Sequence, residues 1–213
     1  MRSSRLIIFI FGMLISLFLL ARSEQKLIQS TDPEIRLDWY EQHQAMKETS
    51  PFKNMKWRFL GPDVISGRCT DVDVSSGSKK IIYVGAATGG VWKTENTGIT
   101  WEPIMDEAPT LSIGDIAISP SNPDIIWVGT GEANIFRASG AGTGLYKSID
   151  AGKTWEHMGL AGTHIIARII IHPENPNIVY VAAPGHEWTY NQERGGYKTI
   201  DGGVSWEKIL YIN

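Results

Sequence analysis

Cysteine is almost missing from this chain: Cys69 stands alone among 213 residues. That excludes an internal disulfide, a cysteine zinc site and a redox pair, and predicts for Cys69 the role of a small buried hydrophobe. Histidine is scarce as well, with five scattered residues and no His-x-x-x-His spacing, so neither a metal nor another cofactor is expected. An excess of positive charge is also lacking. The formal net charge is −3, and setting aside Arg2, Arg5 and Arg22 as part of a leader leaves 17 of the 20 basic residues against 23 acidic ones, a net of −6. A phosphate backbone is then not the expected partner, and no nucleic acid is anticipated. Long helix-forming runs are few, which excludes a helical bundle. What is present is 42% apolar residues, 22 glycines, ten prolines, eight tryptophans and seven tyrosines, the composition of an all-β chain with many turns and large rings between sheets.

The N-terminus reads as a signal peptide, residues 1–23. A short cationic stretch, Met1 to Arg5, precedes an apolar run from Leu6 to Leu20 broken only by Gly12 and Ser16. Ala21-Arg-Ser23 supplies small residues for a peptidase, so cleavage is expected between Ser23 and Glu24. The apolar run is shorter than the ~18 to 20 residues of a spanning helix. The mature protein is therefore expected to be secreted or periplasmic, with no membrane contact after cleavage. A helical segment is placed at 24–51. Thr31-Asp-Pro-Glu34 starts a helix over 32–48, with Ile35, Trp39 and Met46 on one packing face.

From residue 57 onward the chain repeats. Thr94-Glu-Asn-Thr-Gly-Ile-Thr-Trp101, Ser148-Ile-Asp-Ala-Gly-Lys-Thr-Trp155 and Thr199-Ile-Asp-Gly-Gly-Val-Ser-Trp206 share one pattern of hydroxyl, Asp or Asn, Gly, hydroxyl and Trp, with the tryptophans 54 and 51 residues apart. Each copy is preceded by three strand-like runs and followed by one. Ile81-Ile-Tyr-Val84, Ile125-Ile-Trp-Val128 and Ile178-Val-Tyr-Val181 show the second run of each unit. Four short strands in units of about fifty residues are the arithmetic of a propeller blade. We expect blades at about 57–104, 111–158 and 165–213 within a partial β-propeller over 52–213. Within the box, the Asp or Asn side chain (Asn96, Asp150, Asp201) accepts N–H bonds across a hairpin, glycine (Gly98, Gly152, Gly203) takes the positive φ, and tryptophan (Trp101, Trp155, Trp206) wedges between blades.

These boxes resemble the Asp-box, or BNR, repeat of sialidases, related xyloglucanases and sortilin/Vps10 propellers. With Gly89-Gly-Val-Trp-Lys-Thr94, Ser112-Ile-Gly-Asp-Ile-Ala117 and Trp127-Val-Gly-Thr-Gly-Glu132, residues 56–213 are similar to secreted bacterial sortilin-like propellers often named glycosyl hydrolases. The resemblance implies a ring of more blades than three, hence an N-terminal fragment whose partners include the remaining blades of a longer chain.

The same alignment puts Asp71, Asp115 and Arg168 in equivalent positions of the inner strands, as candidates to line a channel. Loops 129–144 and 182–196 add Glu132, Arg137, His186, Trp188 and Arg194, a polar and aromatic set suited to a peptide, protein or glycan ligand; the plainer reading is a set of solvated loop residues. A binding scaffold without chemistry is the first functional reading. A glycoside hydrolase acting on polysaccharide is the second, with Glu132 and Asp71 as candidate acid and base. Arg168-Ile-Ile lacks the proline of a sialidase Arg-Ile-Pro, and Ala86-Ala-Thr88 stands where a xyloglucanase-like enzyme would place Asp before Gly-Gly.

Overall fold

Runs rich in Ile, Val, Tyr and Trp, bounded by Gly, Pro and Asn turns, form twelve strands among the described residues, which are 31–56, 67–134, 139–187 and 191–211 of this computed structural model. The leader and its cleavage site lie outside them, as do residues 57–66 near the start of the stretch that carries the family resemblance. All described residues but Thr31 belong to one unit, Asp32–Asn213.

The strands make three four-stranded antiparallel sheets in simple sequence order. The first blade holds β1 (Cys69–Val74), β2 (Ile82–Ala86), β3 (Gly90–Thr94) and β4 (Glu102–Pro103); the second, β5 (Ile113–Ile118), β6 (Ile126–Thr130), β7 (Leu145–Ser148) and β8 (Glu156–His157). The third holds β9 (Arg168–Ile171), β10 (Val179–Ala183), β11 (Gly195–Thr199) and β12 (Glu207–Leu210). Strand β1 lies beside β5 and β5 beside β9, so the first strand of every blade forms the inner edge about which the sheets fan. This is a partial β-propeller of three blades. The outer strands β4 and β8 are only two residues long, half of what their sequence runs indicate.

The core consists of two layers, one between each pair of sheets. Tyr83, Val91, Ile113, Ile116, Ile126 and Val128 fill the first, and Trp127, Leu145, Ile166, Ile169, Val179 and Val181 the second. Close approach is made possible by Gly129, where a Cβ would run into the Ile166 side chain of the next unit. Cys69 is exposed at the start of β1, and not buried as its residue type led us to expect, because among the described residues no sheet packs on the preceding-blade side of β1.

Helix α1 (Pro33–Thr49) carries Pro33 in its first turn and Asp32 as its cap, whose carboxylate accepts from the Glu34 N–H at 2.8 Å. The expected apolar face does not pack: Ile35, Trp39 and Met46 are all exposed and no residue of the helix is buried. The helix is instead moored by polar groups. Arg36 donates to the carbonyls of Gly142 and Ala161, Tyr40 to that of Glu107, and Lys47 pairs with the Glu107 carboxylate. These residues form one stripe at helical spacing, with Leu37 beside it over a cleft of about 910 Å³ shared with Ile104, Pro109, Trp155 and His157.

Candidate functional site

The inner edge positions the most concentrated set of charged side chains. Antiparallel pairing with a register shift at Cys69/Asp71 in β1, and again at Ile113/Asp115 in β5, turns the side chains of Asp71 and Asp115 out of their own sheets. Asp71 accepts from the Ile116 N–H of the second blade at 3.1 Å, and Asp115 from the Ile169 N–H of the third at 2.7 Å. Each acceptor thus reaches the residue that follows its own counterpart in the next blade, which places Asp71, Asp115 and Arg168 as equivalents around the inner edge.

In the third blade arginine takes the place of the carboxylate and reverses the direction. The Arg168 guanidinium donates back to Asp115 at 3.0 Å and stands 3.9 Å from Asp71. Its side chain is 61% exposed, against 21% for Asp71 and 3% for Asp115. Burial pushes the Asp115 carboxyl up to about 6, with the Asp71 charge adding to the shift and the Ile169 N–H and Arg168 opposing it. Chemically, an outward guanidinium beside a half-buried carboxylate offers a donor and an acceptor for hydroxyl groups, and Asp115 can hold a proton near neutral pH.

Glu132 has a different environment. Its side chain is fully enclosed, and Arg68 Nε and Nη2 grip both carboxylate oxygens at 2.7 and 2.5 Å, while the Glu132 N–H donates to Ser112 Oγ. Such a forked pair ties the residue just after β6 to the chain entering β1 and leaves the carboxylate no open oxygen for a substrate. Glu132 and Asp71 are therefore not arranged as facing acid and base; Asp71 is grouped with Asp115 and Arg168 instead. Sequence reasoning missed Arg68 as its partner, although Gly67-Arg68 stood within the segment that carried the family resemblance.

The β10–β11 loop brings a second group together. The His186 ring stacks on His164 with centroids 3.9 Å apart and meets the Gly162 carbonyl through Nε2 at 3.2 Å. Arg194 Nε donates to the Pro184 carbonyl, and the Arg194 N–H to Asn191. Burial, followed by Arg36 and His186, pulls His164 down to about 4, so its ring is neutral at pH 7. His164 gave no signal in the sequence, since it lies in the 158–168 connection and in no motif. Arg137 and Trp188 lie outside the described residues.

The three hairpins hold the rest of the repeated set. Asp150 Oδ1 accepts from Ser148 Oγ and from the N–H groups of Lys153 and Thr154, and Oδ2 accepts from Thr154 Oγ1 at 2.6 Å. Asp201 repeats this with Thr199 and Ser205. The hydroxyl and N–H donors hold Asp150 down at about 2, and Asp201 well below the carboxylate range. At Asn96 one contact reverses: its amide donates to Thr100 Oγ1 at 2.8 Å. Gly98, Gly152 and Gly203 have φ of 85°, 89° and 99°, and the residue before each is left-handed too. Trp155 donates to the Ile104 carbonyl of the first blade and Trp206 to the Met158 carbonyl of the second, so both rings bridge neighbouring blades. Trp206 also meets Trp127 edge to face, at 5.9 Å. Trp101 leads the first blade and is 38% exposed. Their hydrogen bonds run within the hairpins and between neighbouring blades.

No family model matches the chain. Over 144 residues, 62% of its length, it is 26% identical to xyloglucanase Xgh74A of Acetivibrio thermocellus, and it spans 16% of that protein. It is 33% identical over 101 residues to a probable oligoxyloglucan-reducing end-specific xyloglucanase of Neosartorya fischeri, covering 44% of this chain and 10% of the relative. Among solved structures, an ancestral GH74 enzyme superposes with a TM-score of 0.51 at 24% identity, over 67% of this chain and 18% of that one. The GH74 enzyme of Niastella koreensis gives 0.51 at 20%, over 65% and 21%. The chain thus spans less than a fifth of the length of the first of these relatives.

Proposed function

We propose that this chain forms part of an extracytoplasmic glycoside hydrolase of the propeller type, whose inner edge takes a β-linked polysaccharide such as xyloglucan. The similarity to xyloglucanases carries this reading, because it extends over 144 residues in one relative and 101 in another rather than over one short motif. The hairpin hydrogen bonds support identifying the repeat as an Asp-box, and the leader over 1–23 supports export. On this reading Arg168 and Asp71 bind sugar hydroxyls, and Asp115, enclosed behind them with its carboxyl raised to about 6, sets the charge of that cluster as pH changes.

A second reading, a scaffold that holds glycan or peptide and cleaves nothing, is favoured by one observation: both the Asp115 and the Glu132 carboxylates are already engaged within the blades. Reducing-sugar release from xyloglucan separates the two. Release by the purified chain that is abolished in Asp115→Asn supports hydrolysis. Binding on a glycan array without turnover supports the scaffold, and neither turnover nor glycan binding defeats both.

A further inference from the structure

Helix α1 forms one wall of the cleft of about 910 Å³ whose other wall comes from the outer sides of the first two blades. That volume falls within the range of pockets that enclose a small organic ligand. Strands β4 and β8, which border the cleft, stand last in the order of their sheets, whereas β1 and β5, with Asp71 and Asp115, stand first. Roughly three strand spacings, ~14 Å, therefore separate the cleft from the inner edge, and none of Asp71, Asp115 and Arg168 lines it.

The enclosed part of the cleft is apolar. Met105 and Tyr146 are buried there, and Leu37, Ile104 and Trp155 are half-buried. The polar ends of the rings are already engaged. The Trp155 indole donates to the Ile104 carbonyl, the Tyr146 hydroxyl meets Thr143 Oγ1, and the Tyr40 hydroxyl donates to the Glu107 carbonyl. These rings consequently offer the cleft carbon surface. The exposed part is polar, with Glu41 of the helix, Asp106 between β4 and β5, Lys153 of the second hairpin and His157 of β8. Among the described residues the Glu41 and Asp106 carboxylates and the Lys153 ammonium form no hydrogen bond or ion pair. His157 gives its Nε2–H to the Thr143 carbonyl at 2.8 Å, which leaves Nδ1 as an acceptor. The blade framework does not require this set. Counted from the same indole bond, the second junction carries Leu160 for Asp106 and Val204 for Lys153, and Leu160 packs on the core.

An acyl chain or an apolar peptide segment would cover the rings but take water from two carboxylates and an ammonium without replacing it. A ligand of a single charge would meet both signs. A sugar ring satisfies every group, since its C–H faces lie against aromatic carbon while its hydroxyls donate to the carboxylates and to His157 and accept from Lys153. We propose that this cleft is a second glycan-binding site, which holds a neutral polysaccharide chain on the outer rim of the first two blades, between them and α1. The choice of xyloglucan as that chain rests on the proposed function; the fit to a neutral, hydroxyl-rich ring rests on the cleft alone.

Titration of the purified chain with xyloglucan oligosaccharides, followed by two-dimensional amide NMR, tests this. The expected result is saturable shifts at the Trp155 indole N–H and the amides of 153–157, with slower amide exchange over 33–49 because the ligand ties α1 to the blades. Combining Asp106→Leu with Lys153→Val should weaken binding at least about tenfold, while Trp39→Glu on the exposed side of α1 leaves it unchanged. Both altered positions are exposed and take the residues of the second junction, and unchanged near-ultraviolet dichroism would show that the variant folds. Cleft shifts in a sample that releases no reducing sugar support the second site even as the hydrolase reading fails. Shifts confined to the inner-edge amides of Ile116 and Ile169 overturn the second site and leave the proposed function standing. Binding indifferent to the double substitution overturns it, as does uptake of anilinonaphthalene sulfonate that the oligosaccharides fail to displace.

Discussion

At the scale of single residues, the acidic side chains divide by how their charge is stabilised. Asp150 is half-buried and ringed by donors that favour the anion, which lowers its pKa to about 2; Asp115 is enclosed, which favours the neutral acid and raises its pKa to about 6. Their contributions to stability therefore have opposite signs. For Asp150 the stabilisation is present above the unfolded value of 3.8 and is lost as pH falls toward 2. For Asp115 it is fully present below 3.8 and is lost as pH rises through about 6. We expect Asp115→Asn to flatten the fall in urea midpoint between pH 4 and 6. Asp150→Asn should keep the fold, as Asn96 does in the first hairpin, and should remove the corresponding loss below pH 4. A midpoint that follows the parent chain across both ranges in both variants would contradict this assignment.

Helix α1 illustrates how far a single element can depart from its own pattern. Ile35, Trp39 and Met46 share a face in the sequence, yet the helix turns Arg36, Tyr40 and Lys47 toward the blades, because the carbonyls of Gly142, Ala161 and Glu107 and the Glu107 carboxylate lie within reach of those long donors. Polar moorings between partly exposed groups hold less firmly than apolar burial. The helix should thus be the first described element to open. In Arg36→Ala, amide exchange over 33–49 is expected to accelerate while β5 and β6 stay protected; equal acceleration in both would show that α1 belongs to the cooperative core. The first three strands of each blade, by contrast, were legible to within two residues, since a period-fifty repeat supplies three independent readings of each, whereas the outer strands β4 and β8 are shorter than their runs. The side chains of the candidate site were only partly legible. The equivalence of Asp71, Asp115 and Arg168 follows from counting along the repeat, but the Arg68–Glu132 pair joins residues 64 apart, and no local pattern records such a meeting.

For the whole molecule, stability resides between sheets rather than within them. Each junction joins an apolar layer to an indole N–H donated across the gap. Trp206→Ala removes the ring packed on Trp127 and strands the Met158 carbonyl, so a loss of about 3 kcal/mol is expected in urea unfolding, near the low end for a large aromatic because the ring is only partly covered. Trp101→Ala should cost clearly less, its ring being 38% exposed. Equal losses would mean that the wedge position does not matter. The reach of Asp71 and Asp115 to backbone N–H groups one sheet further on adds a property of a different kind. Because these contacts ask only for a main-chain amide, they make little demand on the identity of the neighbour that supplies it. A gene encoding such units can therefore lengthen or shorten by whole modules, each newcomer finding its seat already prepared.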